Sequence, residues 1–384
     1  MSYPRIRVRA VINSNEVNAP DARHTDCINA VAAGRWAGRP IFASAGDDRR
    51  VLLWDAATGE PVGPALGEFP ARVSHVVFAG PGRDVLVTGD PQGVVLRWEL
   101  RDGAPHADTF QQTGSQIIGL AAAVVDGRAV IGIGTTDGAL RVFDAATGEK
   151  LAELRIGEGK ALHLTDIGVL DGRLVALTVA HNVAEPRPYL PEVTVWDVAT
   201  GAPLREPWLV PEEAEFFGSL ASLDGELVAI RGTECSGWME GDEEGDDEDD
   251  EDQEDDYTRG LDSPYQSEYF LDQVHDVELG IVATGGTRYV MEQLPDQPRV
   301  ATVAPTPHGD VVLFTIGAKI AVVNMRHPAE PGDIDEFFYT GHDARVFGMA
   351  AAEVDGRTVI ASGDTKGNLR FWGLDTPDQR ATLK

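Results

Sequence analysis

The chain reads as an all-β protein assembled from repeated four-stranded units, on three observations. A Trp-Asp-x-x-Thr-Gly pattern recurs at a nearly fixed interval, and Asp-Gly turns join pairs of apolar runs. Each unit also keeps one order: apolar run, Gly turn, apolar run, polar turn, then a strand carrying Trp or Phe. The pattern stands as Trp54-Asp55-Ala56-Ala57-Thr58-Gly59, as Trp98-Glu99 ahead of Asp102-Gly103, as Phe143-Asp144-Ala145-Ala146-Thr147-Gly148 and as Trp196-Asp197-Val198-Ala199-Thr200-Gly201. The steps between Thr58, Asp102, Thr147 and Thr200 are 44, 45 and 53 residues. A period of about 40 to 45 residues with this dipeptide marks the four-stranded antiparallel blades of a β-propeller.

Residues 1–23 form a lead in which Arg5-Ile6-Arg7-Val8-Arg9-Ala10-Val11 alternates charged and apolar residues, the pattern of a half-exposed edge strand. The first hairpin of a unit is explicit at Val125-Asp126-Gly127-Arg128, Leu170-Asp171-Gly172-Arg173, Leu223-Asp224-Gly225-Glu226 and Val354-Asp355-Gly356-Arg357. Asp-Gly between apolar runs signals a tight hairpin, because Gly accepts the positive φ that the favoured turns require. After Thr200 the spacing stretches, yet Ala283-Thr284-Gly285 repeats the earlier Ala-Thr-Gly and Tyr289-Val290-Met291 follows as an outer strand. The step of 84 residues is one period plus about 40, and the excess is assigned to an acidic insertion over 234–273 within the fifth unit. Two further units run through Arg299–Val303, Val311–Thr315 and Lys319–Asn324, then through Val346–Ala350, Val359–Ser362 and Asn368–Trp372. The expectation is one seven-bladed β-propeller domain over residues 1–384, with a disordered acidic insertion in blade 5. An eight-blade alternative takes Tyr269–Val277 as a separate strand set.

These residues resemble the WD-repeat family of β-propellers from about His24 to Lys384. In that family a His before the first strand, a Ser or Thr in the second, an Asp in the following turn and the Trp of the third form a buried hydrogen-bonded network. The resemblance implies such a network at His24, Ser44, Asp48 and Trp54, and another at His342, Ser362 and Trp372, where Lys366 occupies the expected Asp position and Asp364 lies two residues earlier. Blade 2 keeps Thr88 and Trp98 but has Gln92, blade 3 keeps Asp137 but uses Phe143, and blade 5 offers Gly280 in place of Trp. The family often closes its ring with an N-terminal strand, here Arg5–Val11; Arg380–Lys384 is the competing segment.

Two cysteines, Cys27 and Cys235, have neither metal-ligand spacing nor the number a disulfide framework needs. With no export signal and no apolar run near ~18 residues, a soluble cytoplasmic protein without membrane contact is expected. Arg outnumbers Lys 27 to 5, a composition of high-GC bacterial genomes. The formal net charge is −31, and residues 240–256 hold 14 acidic residues in 17. With no apolar side chain there to offset a backbone entropy of ~1 to 2 kcal/mol per residue, that stretch is expected to be disordered. So acidic a protein repels nucleic-acid phosphates, which argues against direct DNA or RNA binding.

No catalytic, cofactor-binding or metal-ligating set is expected. The nine His are scattered, and His75 and His163 lie in apolar strand runs. Gly132–Gly138 lacks the spacing and the following helix of a phosphate loop and reads as the turn from the second strand to the third, and the acidic run lacks the spaced ligands of a calcium loop. The Asp-x-Ala-Thr-Gly repeat also looks like that of quinoprotein propellers, an enzyme alternative that lacks an export signal and a quinone pocket here; a regulatory or sensor subunit of a larger complex is another alternative. The leading expectation is a protein-interaction scaffold, contacting a partner with a basic segment. Its site is the loop rim of blades 4 and 5, at Arg187, Tyr189, Phe216, Trp238, Met239, Glu240, Asp256 and Tyr257, since aromatic anchors dominate interface energetics. The plainer reading of each holds beside it: Phe216 as strand core, Trp208 packed between blades, and the acidic run as a solubilising loop.

Overall fold

The computed structural model describes residues 7–13, 23–67, 69–100, 105–157, 160–182, 192–209, 217–223, 225–236, 273–282, 284, 287–294, 298–306, 309–324, 336–339 and 341–375. All regular structure among them is β, in seven small antiparallel sheets. The chain enters through β1 (Arg7–Asn13) and lays down sheet I as β2 (Ile28–Trp36), β3 (Arg39–Gly46) and β4 (Val51–Asp55). Sheet II comprises β5 (His75–Ala79), β6 (Val85–Gly89), β7 (Val94–Glu99) and β8 (His106–Gln112), and sheet III β9 (Ile117–Val125), β10 (Arg128–Thr135), β11 (Ala139–Asp144) and β12 (Lys150–Arg155). Sheet IV holds β13 (Lys160–Leu170), β14 (Arg173–Asn182) and β15 (Glu192–Asp197), with an outer strand split into β16 (Ala202–Pro203) and β17 (Trp208–Leu209). Sheet V is β18 (Phe217–Leu223), β19 (Glu226–Ser236), β20 (Gln273–Ile281) and β21 (Thr287–Leu294); sheet VI is β22 (Pro298–Ala304), β23 (Val311–Ile316), β24 (Lys319–Asn324) and β25 (Glu336–Tyr339). Sheet VII consists of β26 (Val346–Val354), β27 (Arg357–Asp364), β28 (Leu369–Asp375) and, on its outer edge, β1.

Local chemistry sets these elements. At Asp126-Gly127 the φ values are 50° and 76°, and at Asp171-Gly172 they are again 50° and 76°. Two successive left-handed residues are what a type I′ hairpin needs, and Asp and Gly tolerate that region best. The Asp-x-x-Thr-Gly pattern is a self-capped turn. Asp144 Oδ1 accepts the Ala146 amide at 2.9 Å, the Thr147 amide at 2.7 Å and the Thr147 hydroxyl at 3.0 Å, while the Gly148 amide closes on the Asp144 carbonyl at 2.9 Å. Asp55 and Asp197 repeat this with Thr58 and Thr200. The motif therefore marks the turn into the outer strand.

The sheets bury both faces. Seven apolar clusters lie between consecutive sheets, such as Val87 and Ile131 between II and III, or Val228 and Phe314 between V and VI. One joins sheet VII to sheet I, where Phe371 packs its ring 5.9 Å from Phe42 and 6.0 Å from Trp54. Two-sided burial explains why middle strands read as unbroken apolar runs, as in the fully buried Val311–Ile316. The first strands neighbour one another in order, β2 beside β5, then β9, β13, β18, β22 and β26, and β26 lies beside β2 again.

Three details differ from the sequence expectation. Sheet I has three strands instead of four; beyond β4 the chain makes only isolated bridges, Val51 to Leu66 and Trp54 to Pro61. Pro61 and Pro64 remove two ladder donors there, and Pro203 and Pro207 likewise accompany the split outer strand of sheet IV. Residues Gln273–Val277 belong to β20, paired directly to β19, so they are the third strand of sheet V and no separate set. Finally, Gly132–Thr135 lies in β10, leaving only Thr136–Gly138 as turn. Of the two terminal segments, β1 pairs with β28 from Arg7–Asp375 to Asn13–Arg370; residues 380–384 lie outside the described chain.

Candidate functional site

Sheets IV and V carry the long connections that the sequence singles out. In sheet V, β19 and β20 pair from Val228–Ile281 to Ser236–Gln273, whereas β18 reaches only the Phe217–Gly232 pair. Thr233–Ser236 and Gln273–Asp276 therefore run on beyond β18, with β21 still paired to β20 as far as His275–Leu294, and residues 237–272 join the ends of β19 and β20. In sheet IV the corresponding connection leaves β14 after Asn182 and returns at Glu192, where Glu192 pairs with Lys160 at 2.5 Å. Both connections link the second strand to the third in adjacent sheets. Arg187, Tyr189, Phe216, Trp238, Met239, Glu240, Asp256 and Tyr257 lie outside the described residues, as does the side chain of His163. The strand begins at Phe217, one residue after Phe216.

The structure brings the two polar quartets together. Trp54 Nε1–H donates to Ser44 Oγ at 2.9 Å, that hydroxyl meets His24 Nε2 at 2.8 Å, and His24 Nδ1 lies 3.0 Å from Asp48. A carboxylate only accepts, so the proton sits on Nδ1 and the Ser44 hydroxyl donates to Nε2. In sheet VII, Trp372 donates to Ser362 at 3.0 Å, Ser362 meets His342 Nε2 at 3.0 Å, and His342 Nδ1 bonds Asp364 at 2.6 Å. The acid is thus Asp364, two residues past the Ser, and Lys366 points to Asp343 at 2.9 Å instead. Despite burial, which raises it, hydrogen bonds from His342 and Asn368 hold the Asp364 carboxyl below the usual range.

Sheet II places its acid the same way. Asp90, two residues past Thr88, is buried and caps the amides of Gln92 and Val94 at 2.9 Å each, so Gln92 supplies an amide rather than the missing acid. In sheet III the Arg141 guanidinium takes the partner role, reaching Thr135 at 2.8 Å and Asp137 at 2.5 Å and holding Asp137 down at about 2. Gly280 sits opposite Ala229, at the register position where Trp54 opposes Phe42 and Trp196 opposes Ala176. The quartets of sheets I and VII satisfy buried polar groups, whereas Asp137 in sheet III is exposed.

Residues from the first strands of all seven sheets, including Val31, Val77, Ala121, Asp166, Ser219, Val303 and Ala350, line a cavity of about 480 Å³. Asp166 bridges sheets IV and V across it, since its Oδ2 accepts the Ser219 hydroxyl at 3.0 Å and the Leu220 amide at 2.8 Å. Burial pushes its carboxyl up to about 6. Asp166 was open to detection as a lone acid inside the apolar run Leu162–Ile167. His75, by contrast, is held near 4 by burial and shares a 2.8 Å hydrogen bond with the Ser74 hydroxyl, so its imidazole is neutral at physiological pH. Cys27 is pushed up to about 11 by burial and by Asp47 and Asp26, which leaves the thiol protonated and inert. No group of three or more His, Cys, Asp or Glu among the described residues could hold a metal ion.

The sequence matches no protein-family model, and no curated protein is similar to it at a significant level. Among the described residues no helix is long and apolar enough to cross a membrane.

Proposed function

We propose that the seven sheets are blades of a seven-bladed propeller of the WD-repeat kind, and that the protein is a non-catalytic scaffold binding a basic segment of a partner at blades 4 and 5. The propeller reading is supported by the seven inter-sheet cores, the cyclic order of first strands and the pairing of β1 with β28. It is supported too by the two His-Ser-Trp-Asp quartets, whose buried bonds keep adjacent turns in place.

The scaffold reading rests on one observation above all. The connection with 14 acids in 17 residues joins β19 to β20, both of which extend beyond β18, and the adjacent sheet has a lengthened connection at the same place in its strand order. An acid-rich segment raises the local concentration of basic partners and speeds their encounter, and this attraction weakens as salt rises. The cytoplasm is the proposed setting.

The test is affinity capture from native extract with the full chain and with a chain lacking residues 240–256, at low and moderate salt. A basic protein retained only by the full chain, and lost at moderate salt, is the expected outcome. The same partners on both chains would move the interaction surface elsewhere.

A further inference from the structure

Among the described residues, the carboxylate that faces the cavity among the first strands, Asp166, has no ion-pair partner. Asp166 Oδ1 accepts the Ile167 amide at 2.8 Å, and Oδ2 accepts the Ser219 hydroxyl and the Leu220 amide. All three donors are neutral. A carboxylate has about four acceptor positions, so among the described residues one on Oδ1 is unfilled. The flanking strands β9 and β18 contain no titratable side chain. On the other packed elements, Arg128 of β10 is bound to Asp144, Arg173 of β14 to Asp197, and Lys160 of β13 to Glu192; Glu226 opens β19 and is an acid, and the side chains of His163 on β13, His181 on β14, and Arg231 and Glu234 on β19 lie outside the described residues. Arg83 borders the cavity from the exposed β5–β6 turn. Asp166 is half-buried; leaving a partly desolvated charge without a partner is unfavourable, and a cation entering the cavity offsets that.

We propose that this cavity binds a primary ammonium group with Asp166 as its counter-ion, the ammonium belonging either to a small free amine or to a lysine side chain of another protein. One free acceptor position suits one N–H of a primary ammonium better than the two-pronged fork of a guanidinium. A tightly held divalent metal asks for several anionic ligands, and the described wall supplies one. The first strands are the edge strands of their sheets, so backbone carbonyls outside the ladders are available to the ammonium's other N–H groups. The volume of about 480 Å³ matches a ligand of modest size. This inference is independent of the acidic segment and of the partner proposed for it.

Calorimetric titration of the full chain at pH 7.5 and low salt with n-butylammonium, with neutral n-butanol and with a short peptide carrying one lysine tests it. Saturable binding of n-butylammonium or of the peptide is expected, with none for n-butanol, and whichever binds identifies the source. Asp166→Asn should weaken binding by roughly tenfold or more, the loss of a charge-assisted contact. In the unaltered protein affinity should fall as pH drops from 7.5 to 5, because protonation removes the counter-ion. That series decides the matter should the variant fail to fold. Absence of binding by both ammonium probes, equal binding of n-butanol, or an affinity indifferent to pH overturns the proposal.

Discussion

At the scale of single residues, the most consequential groups are polar atoms shared between two partners. The Ser44 hydroxyl serves both Trp54 and His24 in a site where all three are buried. Ser44→Ala should therefore cost ~1 to 3 kcal/mol, the price of leaving buried donors or acceptors unpaired, read as a lower urea midpoint with an unchanged slope. The carboxylates act on pH in two directions. Asp137 and Asp144, each held at about 2 by arginine and turn hydrogen bonds, stabilise the fold above about pH 4, and that contribution disappears as pH falls toward 2. Asp166 runs the other way: its raised carboxyl means that the folded state binds the proton more tightly, so its contribution to stability grows as pH falls from about 6 to about 4. Thermal melts of the protein and of Asp166→Asn between pH 7.5 and 4.5 should show the difference, wild type minus variant, increasing toward acid.

At the scale of elements, neighbouring first strands approach so closely that side chains are excluded at particular positions. A Cβ at Gly348 on β26 would stand 2.9 Å from the backbone of Ala30 and Val31 on β2, and one at Gly34 would stand 2.2 Å from the Phe78 ring on β5. Gly348 faces backbone, which cannot rotate away. Gly348→Ala should therefore destabilise by ~1 to 3 kcal/mol, as overpacking does, and hydrogen exchange should quicken first in β26 and β2. Hydrogen bonds across the same seams add to the apolar clusters. The Arg35 amide reaches the Arg83 carbonyl at 2.7 Å, and Gln111 reaches the Gly148 carbonyl at 2.9 Å.

For the whole molecule, the decisive contact joins residues from opposite ends of the described chain. β1 covers the edge of β28, and sheet VII packs on sheet I through Phe371, Phe42 and Trp54. Removing residues 1–13 should lower stability, because it strips the β1–β28 ladder that joins the two ends of the described chain. It should also bare the β28 edge to pairing with other chains; light scattering and denaturant melts would register both effects. The net charge of −31 acts at this scale too, making moderate salt expected to raise the melting temperature slightly by screening self-repulsion.

Much of this architecture is written locally. The Asp-Gly hairpins, the capped Asp-x-x-Thr-Gly turns and the apolar strand runs each specify their own geometry within a few residues, so the number and order of units could be read from the sequence. The quartet His24, Ser44, Asp48 and Trp54 was equally legible, because its spacing follows strand register. Position along the chain alone could not assign the acid in sheet VII. Asp364 and Lys366 are both near the turn, and only the folded backbone shows which one meets His342. Nor could it show that prolines would reduce the outer strand of sheet I to two bridges, since that outcome depends on which amides the ladder needs. Asp166 belongs to the same class: its partners lie 53 and 54 residues away. The sequence determines what pairs within a hairpin, because those contacts are set by turn geometry and the two-residue strand period. Tertiary structure alone decides what faces what across sheets, because those contacts depend on the accumulated placement of every strand between them.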